Sequence, residues 1–164
     1  MSVKERTKAQ LNHARGFSEG LLKAFETPEQ WTHQVHETAN HALWFAGHMG
    51  TVDNFMISMI EPSKCVEKEG YNEKFGMGSQ PTSNPGDYPP VDEVLEFMRE
   101  RRAALMELLD SLDEEDFTKP TPESAPDFLP DYGSVFQVCA WHEGLHSGQV
   151  SVARRALGNQ PIAG

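Results

Sequence analysis

The chain has 164 residues, 38% of them hydrophobic, and 14 basic against 25 acidic side chains give a net charge of −11. That length supports one ordinary core and is short for two, so a single domain over residues 1–164 is expected. The acidic balance argues against nucleic-acid phosphate or an anionic membrane as partner. No window is apolar enough to span a bilayer, and the mixed charges of Met1-Ser2-Val3-Lys4-Glu5-Arg6 leave no apolar signal core, which reads as a cytoplasmic protein.

Ser2 with Glu5 forms a capping-box pattern, and Leu11, Ala14, Ser18, Leu21, Leu22 and Phe25 recur at helical spacing until Pro28, which predicts a first helix over about 3–26. A second helix is expected from near Thr38 or Asn40, carrying Leu43, Trp44, Gly47, His48, Val52, Phe55, Met56 and Met59, with Pro62 as its stop. From Pro62 to Pro90 the chain is rich in Gly, Pro, Asn and Ser, a long connection of the kind that carries function or crosses a domain. The third helix, about 91–112, sets Val94, Leu95, Met98, Leu105, Leu108 and Leu109 against Glu93, Glu96, Arg99, Glu100 and Arg102, which read as a solvated face. A proline-containing acidic loop from Asp113 to Asp131 leads to a fourth helix, about 134–157, with Gly158 as its stop. Four helices without a convincing strand predict an all-α four-helix bundle whose 2–3 connection is long enough to run from one end to the other.

His142 and His146 lie four residues apart on the fourth helix, so both imidazoles share one face. His48 stands near the middle of the second helix, as the pair stands near the middle of the fourth, and so at similar depth. Three neutral imidazoles converging from two helices suit zinc, nickel or ferrous iron and leave coordination positions open. Taken singly, each histidine is as readily an ordinary polar or core residue, and the spacing is what favours ligation. The same stretch spells H-E-x-x-H, the zinc-protease helix, but no histidine follows His146 and position 152, where the elongated pattern places its third ligand, is Val. Glu143 turns about 60° from His146 on the helix, so it either enters the site as a base or faces solvent. Gln149 either positions a bound water or ligand or packs at the bundle end. His41 reads as lining the bundle and Trp44 as core, with pocket lining the lesser reading. Cys139, one turn before His142, reads as a small buried hydrophobe, and no paired-cysteine motif is present.

Three segments together resemble the DinB/YfiT-like metalloenzymes: Asn40-His41-Ala42-Leu43-Trp44-Phe45-Ala46-Gly47-His48-Met49, the run His142-Glu143-x-x-His146-x-Gly148-Gln149, and Arg154-Arg155-Ala156-Leu157-Gly158 with Pro161. The resemblance implies an up-down-down-up bundle, a divalent metal held by His48, His142 and His146, and a homodimer. It also implies a small-molecule substrate and, from characterised relatives, a low-molecular-weight thiol cosubstrate in a thiol S-transferase-like reaction. Glu143 and Gln149, from their place on the helix beside the histidines, are the candidate catalytic groups. Many members carry H-H-R-G-Q where this chain has Leu145 and Ser147, and the missing arginine removes a cation expected to hold an anionic substrate. The alternative class is a non-catalytic metal-binding or stress-responsive bundle protein.

Overall fold

The computed structural model describes residues 1–162 and is all-helical there, with one isolated bridge between Pro120 and Asp131. Four long helices, α1 (Val3–Leu22), α3 (Ala42–Ser58), α5 (Val91–Ser111) and α6 (Tyr132–Ala156), are joined by two short ones, α2 (Pro28–Trp31) and α4 (Tyr71–Phe75). No helix among the described residues is long and apolar enough to cross a membrane.

The expected capping box forms at α1, Ser2 Oγ accepting from the Glu5 N–H while the Glu5 carboxylate accepts from the Ser2 N–H. Helix α1 ends at Leu22, four residues short of the sequence reading, and Pro28 opens α2 at its N1 position, where its missing N–H costs nothing. Helix α3 starts later than expected because His41, rather than Thr38 or Asn40, is its cap: Nδ1 of the buried imidazole accepts from the Trp44 N–H at 3.0 Å. The connection from α3 to α5 is not structureless, since it contains α4 and two 3-10 turns at Pro62–Lys64 and Pro85–Asp87. Helix α6 is capped reciprocally by Asp131 and Ser134, and Gly158 ends it at φ +88°, a backbone region closed to most side chains.

Helix α3 packs on α5 and α6, and α1 on α6 and α5. Two apolar clusters fill the interior. One joins Leu21 and Leu22 of α1, Leu43 to Met49 of α3, Val94 to Met98 of α5, and Val150 and Ala153 of α6. The other joins Leu11, Met56 and Ile57, Leu105 to Leu109, and Val135 to Cys139.

Between the clusters lies a feature that the helical periodicity did not predict. Asp53 and Glu143 carry their carboxylates into the interior, where Arg15 and Arg102 meet them, and all four side chains are buried. Arg102 pairs with Asp53 through Nε at 2.9 Å and with Glu143 Oε2 through Nη2 at 2.8 Å, while Arg15 reaches Glu143 Oε1 at 2.7 Å and Asp53 Oδ2 at 3.1 Å. Ser18 Oγ and the carbonyls of Met98 and Leu11 complete the set. Two cations and two anions, one from each long helix, thus neutralise one another out of water. Arg102 therefore does not belong to the solvated face to which its spacing assigned it.

Candidate metal centre

His48, His142 and His146 come together as the sequence spacing required. His48 Nε2 lies 3.4 Å from His142 Nε2, and His146 Nε2 lies 3.1 Å from the same atom. Two nitrogens bound tetrahedrally to one ion at about 2.05 Å stand roughly 3.3 Å apart, so this spacing matches a shared ion. These three side chains are the group among the described residues whose ligand atoms are close enough to hold a metal.

Two of the rings are held with the ligating nitrogen free. A carbonyl oxygen only accepts, so the 2.6 Å contact between His48 Nδ1 and the Phe75 carbonyl puts the proton on Nδ1 and leaves Nε2 with its lone pair facing inward. His146 is set the same way, its Nδ1 donating to Gln149 Oε1 at 2.8 Å while Asn40 Nδ2 donates to that same oxygen at 3.0 Å. Such outer partners orient the ring and raise its basicity toward a metal. Gln149 thus bridges the His146 ring and Asn40 through one oxygen. Nδ1 of His142 is buried without a partner among the described residues. Its ring is kept in place by its neighbours, with centroids 5.0 Å from His48 and 4.5 Å from His146.

The neighbourhood explains why His48 sits where it does. Gly47 faces Phe75 so closely that a Cβ there would lie 2.3 Å from the aromatic ring, and this close approach brings the Phe75 carbonyl within reach of His48. Trp44 stacks on His48 with centroids 4.3 Å apart, and its indole N–H donates to Ser79 Oγ at 2.8 Å. The long connection is therefore fastened to the site helix at both Phe75 and Ser79. Trp44 fills both roles considered for it, buried in the core and bordering the site.

Glu143 is a correction. It neither enters the site nor faces solvent: it is 0% exposed, and its carboxylate points into the Arg15–Arg102 pair, away from the imidazoles. Its two oxygens are taken up by Arg15, Arg102 and Ser18, which withdraws it from the role of general base at the histidines. Ser147 is buried and borders a separate groove between α1 and α6, not the histidine cavity. Cys139 is core, its thiol pushed well up by burial and by Asp53 nearby.

Beside the histidines opens a cavity of about 310 Å³ bordered by Trp44, Val52, Phe55, Met56 and Val138 and, from the two loops, Met77, Gly78 and Phe128. Trp141 completes the wall. The sequence reading did not find the loop residues, because nothing in their local pattern states which end of the bundle a long connection covers.

Burial pushes His48 and His142 down to about 4, with the neighbouring imidazoles adding to the shift, and lowers His146 as well. His41, capping α3, is also pushed down to about 4 by burial. Such a histidine takes up its proton more readily in the unfolded chain. Unfolding therefore binds protons between about pH 6.5 and 4, and stability is full above that window and falls as the pH falls through it. The urea midpoint of metal-free protein is expected to drop steadily from pH 7 to 4.5. In the loaded protein, ion and proton compete for the same Nε2 atoms, so release measured with a chromophoric chelator should fall in roughly the same window. Release confined to lower pH and unchanged by histidine replacement would indicate carboxylate ligands instead.

No curated protein matches this chain. A crystal structure of a conserved protein from Enterococcus faecalis superposes with a TM-score of 0.76 at 17% identity, covering 97% of this chain and 99% of that one, which supports the fold. The family model of the DinB superfamily matches residues 10–150, a span that holds all three histidines and the four long helices to within a turn or two of their ends, and the chain belongs to that superfamily.

Proposed function

We propose that the protein is a metal-dependent enzyme that activates a small thiol or water at the three-histidine centre and delivers it to a small electrophile. The observation that carries this reading is the convergence of three Nε2 atoms beside an open cavity, two of them fixed in the ligating tautomer by Phe75 and Gln149. A divalent ion with open positions, zinc first and nickel or iron next, would lower the pKa of a bound thiol or water toward neutrality. The chain's own contribution is placement: His48, His142 and His146 supply the nitrogens, and Trp44 closes one flank. The apolar wall excludes water from the reacting atoms and so strengthens the charge interactions within. The paired Glu143 leaves no protein carboxylate in the described lining to act as base, so deprotonation rests on the acidity of the bound nucleophile.

We also read the long helices as an up-down-down-up four-helix bundle. What supports it is the shared apolar cluster that joins the last turns of α1 and α6 to the first turns of α3 and α5. In that arrangement α3 and α5 run parallel, and the connection through α4 spans the bundle from end to end.

The test is reconstitution with zinc, nickel and ferrous iron in turn, followed by conjugation of small thiols with chlorinated aromatics and epoxides. About one ion per chain and metal-dependent turnover are expected. Stoichiometric metal without turnover across the panel would replace this reading with a non-catalytic metal-binding protein, and less than about a tenth of an ion per chain would remove the centre itself.

A further inference from the structure

Exposed large apolar side chains are informative where they gather into one patch, and here four of them border one cavity. Phe55 is 40% exposed, Met77 91%, Phe128 57% and Trp141 64%. They come from four different segments: α3, the connection between α3 and α5, the loop before α6, and α6 itself. Their convergence around the histidines is a product of the fold and not of one greasy stretch of sequence. The polar atoms of the lining side chains are nitrogens: those of the three imidazoles, with the indole N–H groups of Trp44 and Trp141, and Trp44's is already bonded to Ser79. Among the described residues, no Lys, Arg, Asp or Glu borders the cavity. The buried Arg15 and Arg102 are both committed to Asp53 and Glu143, and the buried Arg101 to Glu100, Asn54 and the Lys64 carbonyl.

The geometry points to an uncharged substrate with an apolar, ring-sized body that seats against Phe55, Met77, Phe128 and Trp141 and presents a single donor atom toward the three Nε2 atoms. This inference rests on the metal-centre reading and gives it a substrate class. Charged thiols of the peptide or sugar-acid kind fit poorly. Their carboxylates and ammonium groups would leave water for a wall that offers no partner, and burying an unpaired charge is expensive where burying an apolar ring is favourable. The cavity volume, about 310 Å³, lies at the lower end of the range of roughly 300–1,000 Å³ found for small-molecule sites and matches a body of one ring with a short chain.

The experiment compares two thiols of similar size, benzyl mercaptan and the dicarboxylate mercaptosuccinate. Each is titrated into protein loaded with cobalt(II), whose visible and near-ultraviolet absorption reports a coordinated thiol, while indole fluorescence reports occupancy beside Trp141. Benzyl mercaptan should half-saturate at a concentration at least tenfold lower than mercaptosuccinate. Met77→Asp and Phe128→Asp, both at exposed positions where the fold tolerates a polar group, should each raise the benzyl mercaptan value at least fivefold, with cobalt affinity showing that the histidines are intact. Equal or tighter binding of mercaptosuccinate, or aspartate variants that bind benzyl mercaptan as the parent does, would overturn the proposal. If cobalt fails to bind, the metal reading falls, and the apolar seat is decided on metal-free protein with benzyl alcohol. A fluorescence change that is lost in both Phe128→Asp and Met77→Asp upholds the seat, and no change, or one that persists in both variants, ends it.

Discussion

Replacing His142 with alanine is expected to weaken metal binding at least a hundredfold, about 3 kcal/mol. Its Nε2 is the atom within 3.4 Å of both other ligating nitrogens, so its loss leaves two donors that no longer enclose a common point. His48→Ala and His146→Ala should fall as far, since each removes one of three ligands. His48 also stacks on Trp44, so His48→Gln, which keeps most of the volume without an imidazole, separates lost ligation from lost packing. Gln149→Leu should cost less, about tenfold, because it frees the His146 ring to rotate without removing it. Competition against a chromophoric chelator measures all of these, and far-ultraviolet circular dichroism confirms that the helices persist. A His142→Ala protein that holds its ion like the parent would place the third ligand elsewhere.

The second large effect is on stability, and it comes from the buried charges. Glu143→Gln is expected to cost roughly 3–5 kcal/mol, because Arg15 and Arg102 would then share only Asp53 in a place that water does not reach. Asp53→Asn should cost a similar amount for the same reason. Neutralising a cation together with its anion, as in Glu143→Gln with Arg102→Met, should cost less than the sum of the two single changes, since the double variant leaves no net charge inside. Asp110→Asn is the surface control: its partner is Lys8, the two side chains are 49% and 43% exposed, and under about 1 kcal/mol is expected. Urea unfolding monitored by circular dichroism gives each value. A shift below about 1 kcal/mol for Glu143→Gln would mean that the interior accepts the imbalance and that the cluster does not hold the four helices in register.

The convergence of the three histidines was legible from simple spacing: an i,i+4 pair on one helix and a third histidine at matching depth on another. The four long helices were legible from their apolar spacing and from stop residues such as Gly158. Glu143 was misassigned because a helical wheel gives an angle and not the identity of what lies at that angle. Arg15, 128 positions away in sequence, is the group that settles it. A signal did exist: Arg15 falls one turn after Leu11, and Asp53 is the one acidic residue of α3, both at core positions where an unpaired charge is not tolerated. The start of α3 was misplaced because histidine is a rare cap, and the candidates considered were the common ones. Met77 and Phe128 were out of reach of sequence patterning, since their meeting depends on how two loops lie across the same end of the fold.

The carbonyl that fixes the tautomer of His48 belongs to Phe75, at the end of α4, so part of the site's chemistry is supplied by the backbone of a connecting segment. Ion occupancy and the settled state of that segment are then linked equilibria. Whatever free energy the settled segment adds to ion affinity, the bound ion returns in equal measure to the segment. A cosolute or crowded surface that loosens residues 75–79 would be felt as weaker metal retention without touching a ligand, and loss of the ion would be felt as faster amide exchange in a stretch that contributes no ligating atom.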